Sequence, residues 1–123
     1  MQQVLTAIPN EDYIRCLVGG KKLDLYKSSI SNPKKKLSVD EKKAKIRVEN
    51  IFNAMAKYDT PWWLSDDLRK IAYYQINESV LLVSFEKFKE AVSFAIGHPI
   101  EGNDPQDVLV HRKTVNRCLR GKI

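Results

Sequence analysis

The sequence predicts a mainly α fold, a single-domain bundle of about five helices, with an α+β arrangement carrying a small sheet of short strands as the alternative. Three observations lead there. Apolar residues recur at helical spacing through 39–58, 64–76 and 85–96. Those stretches open on Ser, Thr or Asp and close near Gly, Asn or Pro, the residues that cap and stop helices. The 123 residues, 43% hydrophobic and 29% charged, suit one domain able to bury a core, with no internal repeat and no linker.

Residues 2–8, QQVLTAI, read as a short strand or an extended arm. Asn10 caps a short helix through Val18, with Glu11 and Asp12 in its first turn, where the helix dipole favours acids. Gly19 and Gly20 end it. LDLY at 23–26 alternates apolar and polar and reads as a strand. KSSISNPKKK at 27–36 is a loop by composition, with Asn32 and Pro33 as its turn.

Ser38 and Glu41 form a capping-box pattern that opens a helix over 39–58. Ala44, Val48, Ile51, Phe52, Met55 and Tyr58 are its core stripe. Pro61 after Thr60 fits a first helical position, with Ser65 as the alternative cap. Leu64, Leu68, Ile71, Ala72 and Ile76 make the next stripe. Neighbours on a helix point about 100° apart, so one of Trp62 and Trp63 is expected at a surface or groove, where tryptophan anchors interfaces. The buried run 80–84 is a central strand or part of a buried helix. Ser84 caps a helix over 85–96 with Phe85, Phe88, Ala91, Val92, Ala95 and Ile96 inward, stopped by Gly97 and Pro99. Asp104, Pro105 and Asp107 open the last helical segment.

Motifs for catalysis are absent. The sequence has no phosphate-binding G-x-x-x-x-G-K-[ST], no G-x-G-x-x-G and no G-x-S-x-G. No enzyme activity, cofactor or metal is expected. Cys16 and Cys118, with His98 and His111, stand apart in sequence, and no C-x-x-C occurs. Both thiols are read as reduced, inert core groups on apolar helix faces of a cytoplasmic protein. The start, MQQVLTAIP, lacks a signal-peptide pattern, and the strongest apolar run, VLLV at 80–83, is too short to span a bilayer.

Charge carries the functional reading. The net charge of +6 is distributed as −1 over 1–20, +7 over 21–47, −5 over 48–110 and +5 over 111–123. Two basic blocks flank an acidic middle, a pattern that attracts phosphate if the blocks meet. In 111–122, HRKTVNRCLRGK, there are five cationic side chains and no acid. On one helix from 105 to 120, Val108, Val115, Cys118 and Leu119 share a face, with Lys113, Arg117 and Arg120 opposite. Leu109 and Val110 fall on that outer side as well. Either the outer face has a partner or the helix breaks near Val110.

Val110, Thr114, Val115, Arg117, Leu119 and Gly121 resemble the second helix of a lac-repressor-type helix-turn-helix, which reads V-S-x-x-T-V-x-R-x-L-x-G. His111 stands where that pattern has serine, and EGNDPQDVL precedes the turn where the family places an Ala and a Gly. The resemblance implies that the Val and Leu pack inward while the residues between them enter the major groove. Lys113, Asn116 and Arg117 would then face DNA, Asn suiting adenine and Arg guanine or phosphate. The expectation is a small non-enzymatic DNA-binding protein, with Arg120 and Lys34, Lys35 and Lys36 adding phosphate contacts. The alternative is a protein-binding inhibitor or accessory module, of the kind phages and mobile elements carry. It would use Trp62, Trp63, Leu109 and Val110 against an acidic partner such as a nucleic-acid enzyme.

Overall fold

A computed structural model describes residues 8, 10–31 and 34–122. Among them the chain is all-helical, with seven α-helices and no β-strand: α1 Glu11–Val18, α2 Gly20–Ser31, α3 Val39–Met55, α4 Leu68–Ile76, α5 Phe85–Ile96, α6 Pro105–Leu109 and α7 Arg112–Leu119. A single 3₁₀ turn, Trp62–Leu64, lies between α3 and α4. The mainly α expectation therefore holds. No described helix is long and apolar enough to cross a membrane. The chain divides into two compact units, Met1–Asn53 and Ala54–Ile123.

In the first unit, α1 and α2 pack on each other. Gly19, at φ 93°, closes α1 by donating its N–H to the Arg15 carbonyl at 2.8 Å, and its own carbonyl accepts from Leu23 N–H at 3.1 Å. The same residue thus ends one helix and starts the next, so Gly20 begins α2 instead of extending a stop. Asn10 does not cap α1 through its side chain and adopts a left-handed backbone.

The strand expected at 23–26 and the loop expected from residue 27 are both replaced by α2. Leu23, Tyr26 and Ser29 are the buried positions, a helical spacing that a four-residue window cannot distinguish from alternation. Two of the serines of 27–31 bond within the helix: Ser29 Oγ donates to the Tyr26 carbonyl and Ser31 Oγ to that of Ser28. The strand or arm expected at 2–8 lies outside the described residues, except Ile8.

The capping box of α3 forms as the sequence requires. Glu41 N–H donates to Ser38 Oγ at 3.1 Å, and Ser38 N–H to Glu41 Oε1 at 3.0 Å. Glu41 does more than cap. Its Oε2 accepts from Lys35 Nζ at 2.7 Å and from Ser28 Oγ at 2.6 Å, tying the end of α2 to the start of α3. Ala44, Val48 and Ile51 are fully buried, and Tyr26 meets Phe52 edge to face.

In the second unit, α4 and α5 pack together, and α7 packs on both. Ile71, Ala72, Ile76, Phe88, Ala91, Val92, Val108, Val115 and Leu119 are buried there. Ser84 caps α5 through Lys87 N–H, and Gly97 at φ 85° closes it. Asp67, not Ser65 or Thr60, caps α4 by accepting from Arg69 N–H. Ser65 Oγ supports it by accepting from Asp67 N–H.

Both tryptophans are buried, Trp62 at 2% and Trp63 at 8% exposure, which corrects the expectation that one faces a surface. That expectation assumed a helix lying on one core. The residues form a single 3₁₀ turn inside an aromatic cluster: Tyr58 meets both indoles edge-on, and Trp62 stacks on Tyr74 at 5.6 Å. Leu64, expected in the core, is the residue turned outward, at 55% exposure.

The segment 80–84 forms neither helix nor strand. Its backbone is served by side chains instead. Gln75, 2% exposed, donates from Nε2 to the Val80 carbonyl at 2.9 Å and accepts Leu82 N–H on Oε1 at 2.8 Å. Glu78 Oε2 accepts Val80 N–H, while its Oε1 accepts from Tyr58 Oη and from Lys57 Nζ at 2.8 Å. Burial pushes the Glu78 carboxyl up, but Lys57, Tyr58 and the Val80 amide outweigh it and the net shift is downward. The Tyr58 hydroxyl is raised by burial first and by its carboxylate partner second.

Two outcomes follow. Gln75→Ala removes both bonds to 80–84 and opens a cavity, and is expected to cost about 2–4 kcal/mol in urea denaturation. For Glu41, Lys35, then Ser28 and the Ser38 amide, hold the carboxyl down at about 2 from its ordinary 4.5. The fold favours the charged form, so its contribution is complete above the unfolded pKa and disappears as pH falls from about 4.5 towards 2. Glu41→Gln is expected to flatten the loss of stability over that window, measured by thermal melts from pH 6 to 2. Equal acid slopes in the two proteins would refute the assignment.

Candidate nucleic-acid interface

The chain from 104 to 120 folds as two helices. Asp104 accepts Gln106 N–H at 2.9 Å, and Asp107 Oδ2 accepts Asp104 N–H at 3.0 Å, a complete capping box on α6. Gly102 permits it: its φ is 100°, and a Cβ there would sit 2.1 Å from Asp107 Oδ2. Val110 N–H bonds back to the Gln106 carbonyl at 3.1 Å and His111 N–H to that of Val108 at 3.1 Å, closing α6. Val115 N–H then bonds to the His111 carbonyl at 2.9 Å, opening α7. The helix breaks at Val110, one of the two options the sequence left open.

Val115 and Leu119 anchor α7 and are buried, as the helix-turn-helix resemblance implies. Val110 departs from a packed position, at 72% exposure, and Leu109 is half-buried. The helix before the turn has only five residues. Neither thiol is a core group: Cys16 is exposed, about 200° around α1 from buried Ile14, and Cys118 is half-buried beside Val115 and Leu119.

Arg112, Lys113, Arg117 and Arg120 are exposed on α7 and beyond its end, and none forms an ion pair with a described carboxylate. Elsewhere in the same unit, Lys57, Arg69 and Lys87 are paired with Glu78, Asp67 and Glu90. Lys113, Asn116, Arg117 and Arg120 line one open concavity of about 460 Å³. The four site residues expected on the last helix are therefore brought together.

Asn116 is not a free reader of bases. Its Oδ1 accepts from Asn77 Nδ2 at 2.7 Å and its Nδ2 donates to Asn77 Oδ1 at 3.2 Å. Asn77 Nδ2 also donates to the Tyr73 carbonyl at 2.9 Å, so the pair fastens α7 to the end of α4. Nothing in the local sequence signals this contact between residues so far apart in the chain.

Lys34, Lys35 and Lys36 belong to the first unit and are exposed. Lys35 is engaged with Glu41 and Ser28. The same unit holds a basic grouping that sequence reading missed. Lys21, Lys22 and Lys43, with Asp40, Val18, Gly19 and Leu25, line a concavity of about 350 Å³. Reading the two glycines as a stop concealed it, because the start of α2 presents Lys21 and Lys22 beside α3.

Of the residues expected to dock a protein partner, Trp62 and Trp63 are buried, while Val110 is accessible. A separate apolar concavity of about 800 Å³ runs along α5, where Phe85, Phe94, Pro99 and Ile100 contribute, and Phe94 is 58% exposed. Comparison with protein-family models, with curated proteins and with solved structures yields no match for this chain.

The Asn77–Asn116 pair is partly exposed, so a double-mutant cycle with Asn77→Ala and Asn116→Ala is expected to give a coupling of about 0.5–1.5 kcal/mol. A coupling near zero in chemical denaturation would mean that the pair does not hold α7.

Proposed function

We propose that the protein binds nucleic acid, duplex DNA in the first instance, through the outer face of α7. The observation that carries this is the charge: four cations on and just beyond one short helix, none paired with a described carboxylate, three of them around a single concavity with Asn116. Unpaired arginines and lysines fixed on one face can neutralise several phosphates at once. Arginine also offers a planar fork for phosphate oxygens or a guanine edge. Asn116 reads a base only if it gives up Asn77, so the contacts proposed are mainly to phosphate and any sequence preference rests on Arg117 and Lys113. An acidic protein partner is the second reading, favoured by exposed Val110 beside the same cations.

Fluorescence anisotropy with labelled duplex and single-stranded DNA, titrated with salt, tests the proposal. Four phosphate contacts from Arg112, Lys113, Arg117 and Arg120 give a slope of log affinity against log salt of about −3.6. The triple variant Lys113→Glu, Arg117→Glu, Arg120→Glu is expected to keep its melting curve, since all three are exposed, and to lower that slope by about 3. No binding at low salt, or an unaffected triple variant, would overturn the proposal, and the first result would turn attention to the acidic protein.

A further inference from the structure

We infer that His98 and His111 form a two-imidazole site for a divalent transition-metal ion. The chain has two histidines, and the fold brings them side by side from different loops, with ring centroids 6.0 Å apart and planes at 77°. His98 follows the Gly97 that ends α5, and His111 occupies the turn between α6 and α7. A metal–nitrogen bond of about 2.0–2.1 Å puts each ring centroid roughly 3.2 Å from the ion, so two rings on a tetrahedral ion stand roughly 5 Å apart. The observed centroid separation is within about 1 Å of that value.

The hydrogen bonds around the rings suit ligation. His98 Nδ1 lies 3.0 Å from the Pro99 carbonyl. A carbonyl can only accept, so Nδ1 carries the proton and Nε2 presents its lone pair. Metal-binding histidines use this arrangement, with a backbone carbonyl fixing the tautomer from behind. His111 stands at the N-cap position of α7 but makes no capping bond through its side chain. Among the described residues its ring has no hydrogen-bond partner, so nothing competes for its nitrogens.

No group of three or more His, Cys, Asp or Glu is placed to hold a metal among the described residues. The site therefore offers two nitrogen ligands, with water completing the shell. Such a set favours Cu²⁺, Ni²⁺ or Zn²⁺ over Mg²⁺ or Ca²⁺, which require oxygen donors. The ion would tie the loop after α5 to the turn before α7, bracketing the short α6 at both ends. This site is independent of the nucleic-acid proposal.

Ni²⁺ is the probe, titrated into the ¹⁵N-labelled full chain and followed by amide spectra and by calorimetry. Paramagnetic broadening is expected around residues 97–99 and 110–112 together, with one affinity. His98→Gln and His111→Gln should each weaken Ni²⁺ binding at least about tenfold, since even loss of an outer-shell partner has effects of that size. Cys16→Ser, which removes the exposed thiol, should leave the affinity unchanged. Broadening confined to one histidine, a single His→Gln variant that binds like the parent, or loss of binding in Cys16→Ser would each overturn the inference.

Discussion

The basic face of α7 depends on two side chains. An eight-residue helix is too short to persist in water by itself, because nucleation costs more than so few backbone bonds return. Val115 and Leu119, buried against α4 and α5, supply what propensity cannot, about 1.5–3 kcal/mol each. Their spacing of four residues also fixes the helix's rotation. Once they point inward, Lys113, Arg117 and Arg120 have only solvent to face. The Asn77–Asn116 pair adds a polar latch to the same docking, so the orientation of the cations is set by contacts on the opposite and flanking sides of the helix.

Much of this was legible in the sequence, for a definable reason. Ser38 with Glu41, Ser84, and Asp104 with Asp107 are caps whose partners lie two or three residues away, and each cap forms. The stripes Ala44, Val48, Ile51 and Ile71, Ala72, Ile76 repeat over long enough stretches to fix a helical period. What could not be read depends on distance. LDLY alternates over four residues, but Leu23, Tyr26 and Ser29 show the helical period only across a wider window. The 80–84 run looks like a strand because its neighbours in the sheet would be invisible from sequence anyway. Here the partner is a side chain, Gln75, which occupies the backbone bonds a neighbouring strand would have filled.

The candidate interface divides along the same line. Its charge could be counted from the chain alone, since no acid occurs between His111 and Lys122. Its break at Val110 was visible as a conflict between Leu109, Val110 and a continuous amphipathic helix. The engagement of Asn116 was not visible, nor was the meeting of the two histidines, because each joins residues that only the tertiary fold brings together. The tryptophan pair misled for a different reason. Neighbouring large aromatics strain a helix with one core, but a single tight turn among other rings accommodates both. Among the described residues neither indole N–H finds an acceptor there.

That cluster also gives the molecule a built-in optical division. Trp62 and Trp63, the only tryptophans in the chain, belong to the second unit and stand with ring centroids 5.6 Å apart. The first unit has tyrosine, at positions 13 and 26, and no indole. Light at the red edge of protein absorption is therefore taken up by one unit alone, whereas the peptide signal in the far ultraviolet sums over both. Two rings so close and steeply inclined couple their transitions, so the near-ultraviolet dichroism of the native protein reports their mutual packing. Emission and peptide dichroism recorded in one denaturation series thus separate the unfolding of the unit that carries α7 from that of its neighbour, without any added label.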